Sequence, residues 1–149
     1  MVRVPKLLTL LVGALLFAGC GSSEPQMQEI VIRPIGDTMA YETTEFTVKE
    51  GATVKIVMDN IATLDAMQHN VVILAPGADA QAVGMAAVQA GEASDYIPDD
   101  ANVLYYTPLA KPGEQTVVEF TAPAPGEYTF ICTFPGHFAL MKGVMTVTA

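Results

Sequence analysis

Beyond Gln26, apolar residues recur at every second position in short runs separated by turn residues, the period of strands with one buried face. Gln28 to Ile32, Thr44 to Val48 and Thr53 to Met58 are the first such runs, the last two joined through Lys49-Glu50-Gly51-Ala52. His69 to Leu74, Val103 to Thr107, Thr116 to Thr121, Glu127 to Cys132 and Val144 to Thr148 add five more. Ala122-Pro123-Ala124-Pro125-Gly126 punctuates the last third of the chain. About eight short strands in about 120 residues predict an all-β protein, a Greek-key β-sandwich. One stretch departs from the pattern. Asp79 to Ala93, rich in Ala with Val83, Met85 and Val88, reads as one short helix in a crossover loop, weakened by Gly84. Met85 is assigned to packing rather than to metal binding. Asp95, Asp99 and Asp100 around Pro98 lack the regular spacing of calcium ligands and read as a solvated loop. No internal repeat is visible.

The first residues follow a different rule. Arg3 and Lys6 precede an apolar run, Leu7 to Ala18, that is signal-peptide length and short for a membrane span. Small residues lead into Cys20, the arrangement of a lipoprotein precursor whose cysteine becomes the lipidated N-terminus; the alternative is an ordinary cleaved signal with Cys20 incidental. Residues 1–19 are therefore expected to be a signal peptide, 20–26 a lipidated Cys and Gly/Ser/Pro tether, and 27–149 a single domain. The predicted location is extracytoplasmic, periplasm or cell surface, held at a membrane by the anchor.

Composition narrows the chemistry. Of 149 residues 51% are hydrophobic and 15% charged, which excludes a disordered chain. Loss of the leader leaves five basic against 16 acidic residues, a net charge of −11 that argues against nucleic acid as a partner. The chain holds two Cys and two His. If Cys20 is lipidated, Cys132 has no partner within the chain, and in an oxidising compartment metal ligation accounts for such a thiol.

Tyr128 to Gly143 then places a thiol at Cys132, an imidazole at His137 and a thioether at Met141, across a Pro135-Gly136 turn between two strands. His69, at the start of another strand, is positioned to close the same site. Two imidazoles and one thiolate in a plane with a weak axial thioether suit one copper ion that exchanges electrons. Soft thiolate suits Cu(I), imidazole suits both oxidation states, and a long axial Met avoids imposing the tetragonal geometry Cu(II) prefers.

Met67-Gln68-His69-Asn70 and Cys132-Thr133-Phe134-Pro135-Gly136-His137, continued by Ala139-Leu140-Met141-Lys142-Gly143, resemble the blue copper proteins of the cupredoxin family, its azurin and auracyanin branches. The similarity extends from about Met27 to Ala149. It implies one Cu(I)/Cu(II) ion held by His69, Cys132, His137 and Met141, with the Gln68 carbonyl a candidate weak axial oxygen where azurins carry Gly. The Cys pair of azurin's disulfide is missing. The resemblance also implies that Asn70 ties its strand to the Cys132 loop through Thr133, and that the Phe134 N–H points at the Cys132 sulfur. Pro135, Phe138, Ala139 and Leu140, with Phe134, are expected to make an uncharged patch around the His137 edge where electrons enter.

The same residue supply excludes enzymes. Copper reductases and oxidases need further His, a bridged binuclear centre needs two Cys, and a hydrolytic triad needs a spare His. The reading is a monomeric one-electron shuttle; a periplasmic copper carrier is the alternative. By resemblance its partners are redox proteins: c-type cytochromes, a terminal oxidase or reductase, or a photosynthetic reaction centre.

Overall fold

The computed structural model describes residues 27–149; the signal peptide, Cys20 and the tether expected from the sequence lie outside them. Eight strands form two sheets: β1 (Gln28–Ile32), β2 (Glu45–Lys49), β3 (Thr53–Asp59), β4 (Val72–Leu74), β5 (Val103–Tyr106), β6 (Gln115–Thr121), β7 (Gly126–Ile131) and β8 (Lys142–Thr148). The smaller sheet runs β1-β3-β6 and the larger β2-β8-β7-β4-β5. β1–β3 and β2–β8 are parallel pairs, and the remaining neighbours are antiparallel.

The period-two pattern explains why the sheets pack. In β3, Val54, Ile56 and Met58 point into the core, and β8 contributes Met145 and Val147. Register sets Phe46 beside Met145 and Val54 beside Phe120, so the inner faces meet as one cluster that also contains Ile32, Phe130, Cys132 and Met141. The metal-ligating candidates thus sit at the end of this core, not on a separate appendage. Gly143 lets β8 begin there: a side chain at this position would overlap the Phe130 ring and the Thr44 carbonyl.

The helix, α1 (Ala80–Ala90), is shorter than the sequence predicts. Asp79 caps it, accepting from the N–H groups of Gln81 and Ala82. Gly84, the expected weak point, has a packing reason, because any Cβ would overlap the Phe138 ring. The assignment of Met85 to packing is corrected. It faces outward and is 51% exposed, while Val83, Gly84 and Ala87 make the inner face. The strand expected from His69 begins only at Val72, because His69 pairs with Ala110 in a single isolated bridge and Asn70 spends its groups on loop partners.

Candidate metal centre

Cys132 follows β7 directly, and the chain then makes one tight excursion before β8. Pro135-Gly136 turns it, with Gly136 at φ 85°, a conformation open to glycine. The His137 N–H donates to the Phe134 carbonyl at 3.0 Å, and the N–H groups of Leu140 and Met141 donate to the His137 carbonyl at 3.0 and 2.8 Å. The Cys132 N–H donates to the Met141 carbonyl at 3.0 Å and closes the loop. Local bonds therefore set three candidate donors at one place.

His69 is held by longer-range bonds. Its N–H and C=O exchange bonds with Ala110 at 3.1 and 2.8 Å. Asn60, fully buried, donates to the carbonyls of Met67 and Ala110 at 2.8 and 2.9 Å and accepts from the Ala62 N–H. Asn70 completes the link: its Nδ2 donates to Thr133 Oγ1 and its Oδ1 accepts from the Thr133 N–H, both at 2.8 Å. The same Nδ2 donates to the Asp95 carbonyl at 3.2 Å. That bond secures a turn in which Asp95 and Tyr96 both take the left-handed backbone, φ 55° each. Tyr96 meets Phe134 edge-on at 5.4 Å, and Phe134 lies 4.9 Å from the His137 ring. The expected acidic loop is thus also a brace for the site.

These elements bring His69, Cys132 and His137 together, all buried, with donor atoms within 4.8 Å of one another. Cys132 Sγ lies 3.8 Å from His69 Nδ1 and 3.6 Å from His137 Nδ1, and the two Nδ1 atoms are 3.3 Å apart. Bonds of about 2.0 Å to imidazole and about 2.3 Å to thiolate put such donors about 3.3–3.7 Å apart around one ion. The three positions fit a single metal, and one thiolate with two imidazoles is a donor set suited to copper. Met141 is buried in the same cluster as Cys132. Gln68 is half-buried, its side-chain amide turned toward the Asp65 carbonyl at 3.4 Å.

Protonation favours a waiting metal site. Burial, and then the neighbouring His137, lowers the His69 pKa to about 4, and burial lowers that of His137, so both rings stay neutral ligands. Burial raises the Cys132 thiol to about 11, against backbone N–H donors from Asn70 and Phe134 and the phenol of Tyr41. Metal must therefore displace a proton from sulfur on binding. With Nδ1 of each ring facing the site, Nε2 keeps the ring proton; that of His69 is buried and meets no protein acceptor, and His137 is the more exposed of the two, 3% against 0%.

The expected patch changes in one member. Leu140 is 66% exposed, with Ala139 exposed and Pro135 half-exposed beside it, but Phe138 is 8% exposed because its ring fills the space under Gly84 of α1. Asn60, Tyr41 and the Asp95–Tyr96 turn were missed from sequence. Asn60 follows β3 and reads in sequence as an ordinary turn residue, and nothing local to Tyr41 points to the Asn70 carbonyl that its hydroxyl reaches.

The profile of a family described as copper binding proteins, plastocyanin/azurin family, matches residues 29–148. Auracyanin-A of Chloroflexus aurantiacus is 41% identical over 114 residues, which cover 75% of this chain and 69% of that protein. Azurin of Pseudomonas aeruginosa is 37% identical over 118 residues, covering 74% and 79%. The solved structure titled auracyanin A, a "blue" copper protein from the green thermophilic photosynthetic bacterium Chloroflexus aurantiacus, superposes with a TM-score of 0.77 at 39% identity, covering 83% of this chain and all of that one.

Proposed function

The chain belongs to the plastocyanin/azurin family of copper-binding proteins, and from that premise we propose that it shuttles single electrons between redox proteins at an extracytoplasmic membrane surface. It is a type 1 copper electron-transfer protein and not an enzyme, with one site formed by His69, Cys132, His137 and Met141. Bound copper supplies the one-electron chemistry. The protein's own residues hold two neutral imidazoles and a desolvated sulfur in place, so that little has to move when charge changes. The observation that carries the reading is the meeting of His69, Cys132 and His137 in a buried cluster built from separate elements. The Gln68 backbone carbonyl, next to His69, would be the candidate for a further weak oxygen contact.

Electron entry is assigned to the His137 edge, because His137 is the ligand of the four with any exposure, 3% against 0% for the others. Pro135, Ala139 and Leu140 offer apolar area on one side. Asp37 also accepts from the Thr63 and Leu64 N–H groups at 2.6 and 3.0 Å, tying together two loops whose Ile35, Met39, Ile61 and Leu64 are exposed. Such a patch suits brief docking of a redox protein, a c-type cytochrome, an oxidase or reductase, or a photosynthetic reaction centre. The net acidity steers basic partners, at a rate that falls with salt. Among the described residues no helix is long and apolar enough to cross a membrane. Attachment is assigned to lipid on Cys20 behind the 1–19 leader. Copper carriage, the alternative, calls for exposed and exchangeable ligands, and here His69, Cys132 and Met141 are sealed from solvent.

The test is the visible and EPR spectrum of the copper(II) protein beside Cys132→Ser. An intense thiolate-to-copper band lost in the variant is expected; its absence from the wild type overturns the assignment. For the anchor, Cys20→Ser should release the protein from membranes, and unchanged membrane association refutes it.

A further inference from the structure

The copper loop and the start of the domain lie at opposite ends of the sandwich. β8 leaves the loop at Lys142, directly after Met141, whose carbonyl accepts from the Cys132 N–H. It is seven residues long and ends at Thr148. There the Thr148 carbonyl accepts from the Glu50 N–H at 2.8 Å, and the Gly51 N–H donates to the Ala122 carbonyl at 3.0 Å. Gln28 belongs to this same end. Its Oε1 accepts from the Lys49 N–H at 3.1 Å, and its backbone registers with Val54 at the start of β3. Met27, exposed next to it, is therefore where the domain joins residues 20–26, at the end away from copper.

Length decides which way a tethered domain can stand. With Cys20 in the bilayer, the seven residues 20–26 span no more than about 25 Å, whatever path they take. β8 alone is about 23 Å long, and the loop that carries His137 projects beyond its start. Laying the His137 edge on the bilayer would lift Met27 above it by the full height of the sandwich, loop included. The chain is too short to follow. Charge agrees with length. The protein without its leader carries −11, yet the turns that cap the Met27 end, 49–52 and 122–125, hold only Lys49 and Glu50, which cancel. Anionic head groups therefore meet no net charge on those turns.

We propose that the lipid surface faces the 49–52 and 122–125 turns, with the copper end turned away from it, so that the redox partner docks on the His137 edge from the aqueous side. The inference rests on the Cys20 anchor proposed above. It sets a shape for the partner: a soluble redox protein, or a part of a complex that stands clear of the bilayer, meets this edge. A redox group lying flush with the membrane does not.

The chain has no Trp, so a single introduced one reports on its own surroundings. The full-length lipidated protein, with copper bound, is placed on vesicles of phosphatidylethanolamine and phosphatidylglycerol whose head groups carry a spin label. Its emission is divided by that on unlabelled vesicles, so that quenching by copper cancels. Ala124→Trp is expected to lose emission to the label, and Leu140→Trp to keep it. Both positions are exposed, and Glu50→Trp or Ala139→Trp, at exposed positions of the same two ends, replaces whichever variant does not fold. Greater loss at the copper end, equal loss at both ends, or loss at neither overturns the proposal. Lipidated protein that fails to float with the vesicles would instead sink the anchor reading, and this inference with it.

Discussion

Two segments build the copper site by opposite means. Between Cys132 and Met141 one short loop carries three of the four ligands and holds itself with bonds among its own backbone groups. Between Asn60 and Asn70 the chain contributes one ligand, His69, and is held by Ala110, Thr133 and Tyr41, all distant in sequence. The difference separates composition from placement. The first segment needs the right residues in order, while the second needs the whole sandwich assembled before its imidazole points anywhere useful.

The sharpest way to break that contrast is Asn60→Ala. Three bonds vanish and buried groups lose their partner, so stability should fall by about 3 kcal/mol in urea unfolding, with faster copper loss to a chelator. Loss of less than about 1 kcal/mol would mean that the His69 segment stands without this hub. Gly84→Ala is next, and its sign is diagnostic. On an exposed helix the change would stabilise by up to about 1 kcal/mol. Here overlap with Phe138 should make it destabilising by about 1–2 kcal/mol in thermal unfolding. A stabilised variant would show that Phe138, and the loop carrying it, is free to move.

Acid treats both segments alike, since each contributes one buried histidine. The folded state holds His69 near 4 and His137 below its ordinary value, so the unfolded chain binds more protons as pH drops. Their contribution is present above about pH 6.5 and is lost as pH falls toward about 4. Denaturation midpoints of the copper-free protein across that window should decline with acid; a flat profile would mean the rings are solvated. Copper affinity should also fall with acid, because protons compete for both rings and for the Cys132 sulfur. Asp37→Asn is the mildest change. Amide exchange at Thr63 and Leu64 should quicken while the blue band stays put, and unchanged exchange would show that the carboxylate does not hold the two loops together.

Most of the fold was legible because period-two burial writes itself into short runs; each of the eight expected strands has its counterpart, with ends displaced by a few residues. The largest displacement is at His69, where alternation continues but sheet pairing does not, since Asn70 is diverted to Thr133. Met85 and Phe138 were misplaced for a related reason. Which face of α1 turns inward depends on what it packs against, and Gly84 with Phe138 settled that by steric fit.

What the amino-acid order determined alone is the ligand inventory: one thiol, one imidazole and one thioether at spacings a single tight loop can bring together, and a second imidazole with no competing role. Local hydrogen bonding and turn chemistry suffice for that, and both are written in neighbouring residues. Only the tertiary structure decided where His69 sits, why Asn60 is buried, and that the Tyr41 phenol reaches the Asn70 carbonyl next to His69. Those contacts join residues far apart along the chain, and they come into being only when packing removes water from between the sheets and obliges every buried polar group to find a partner.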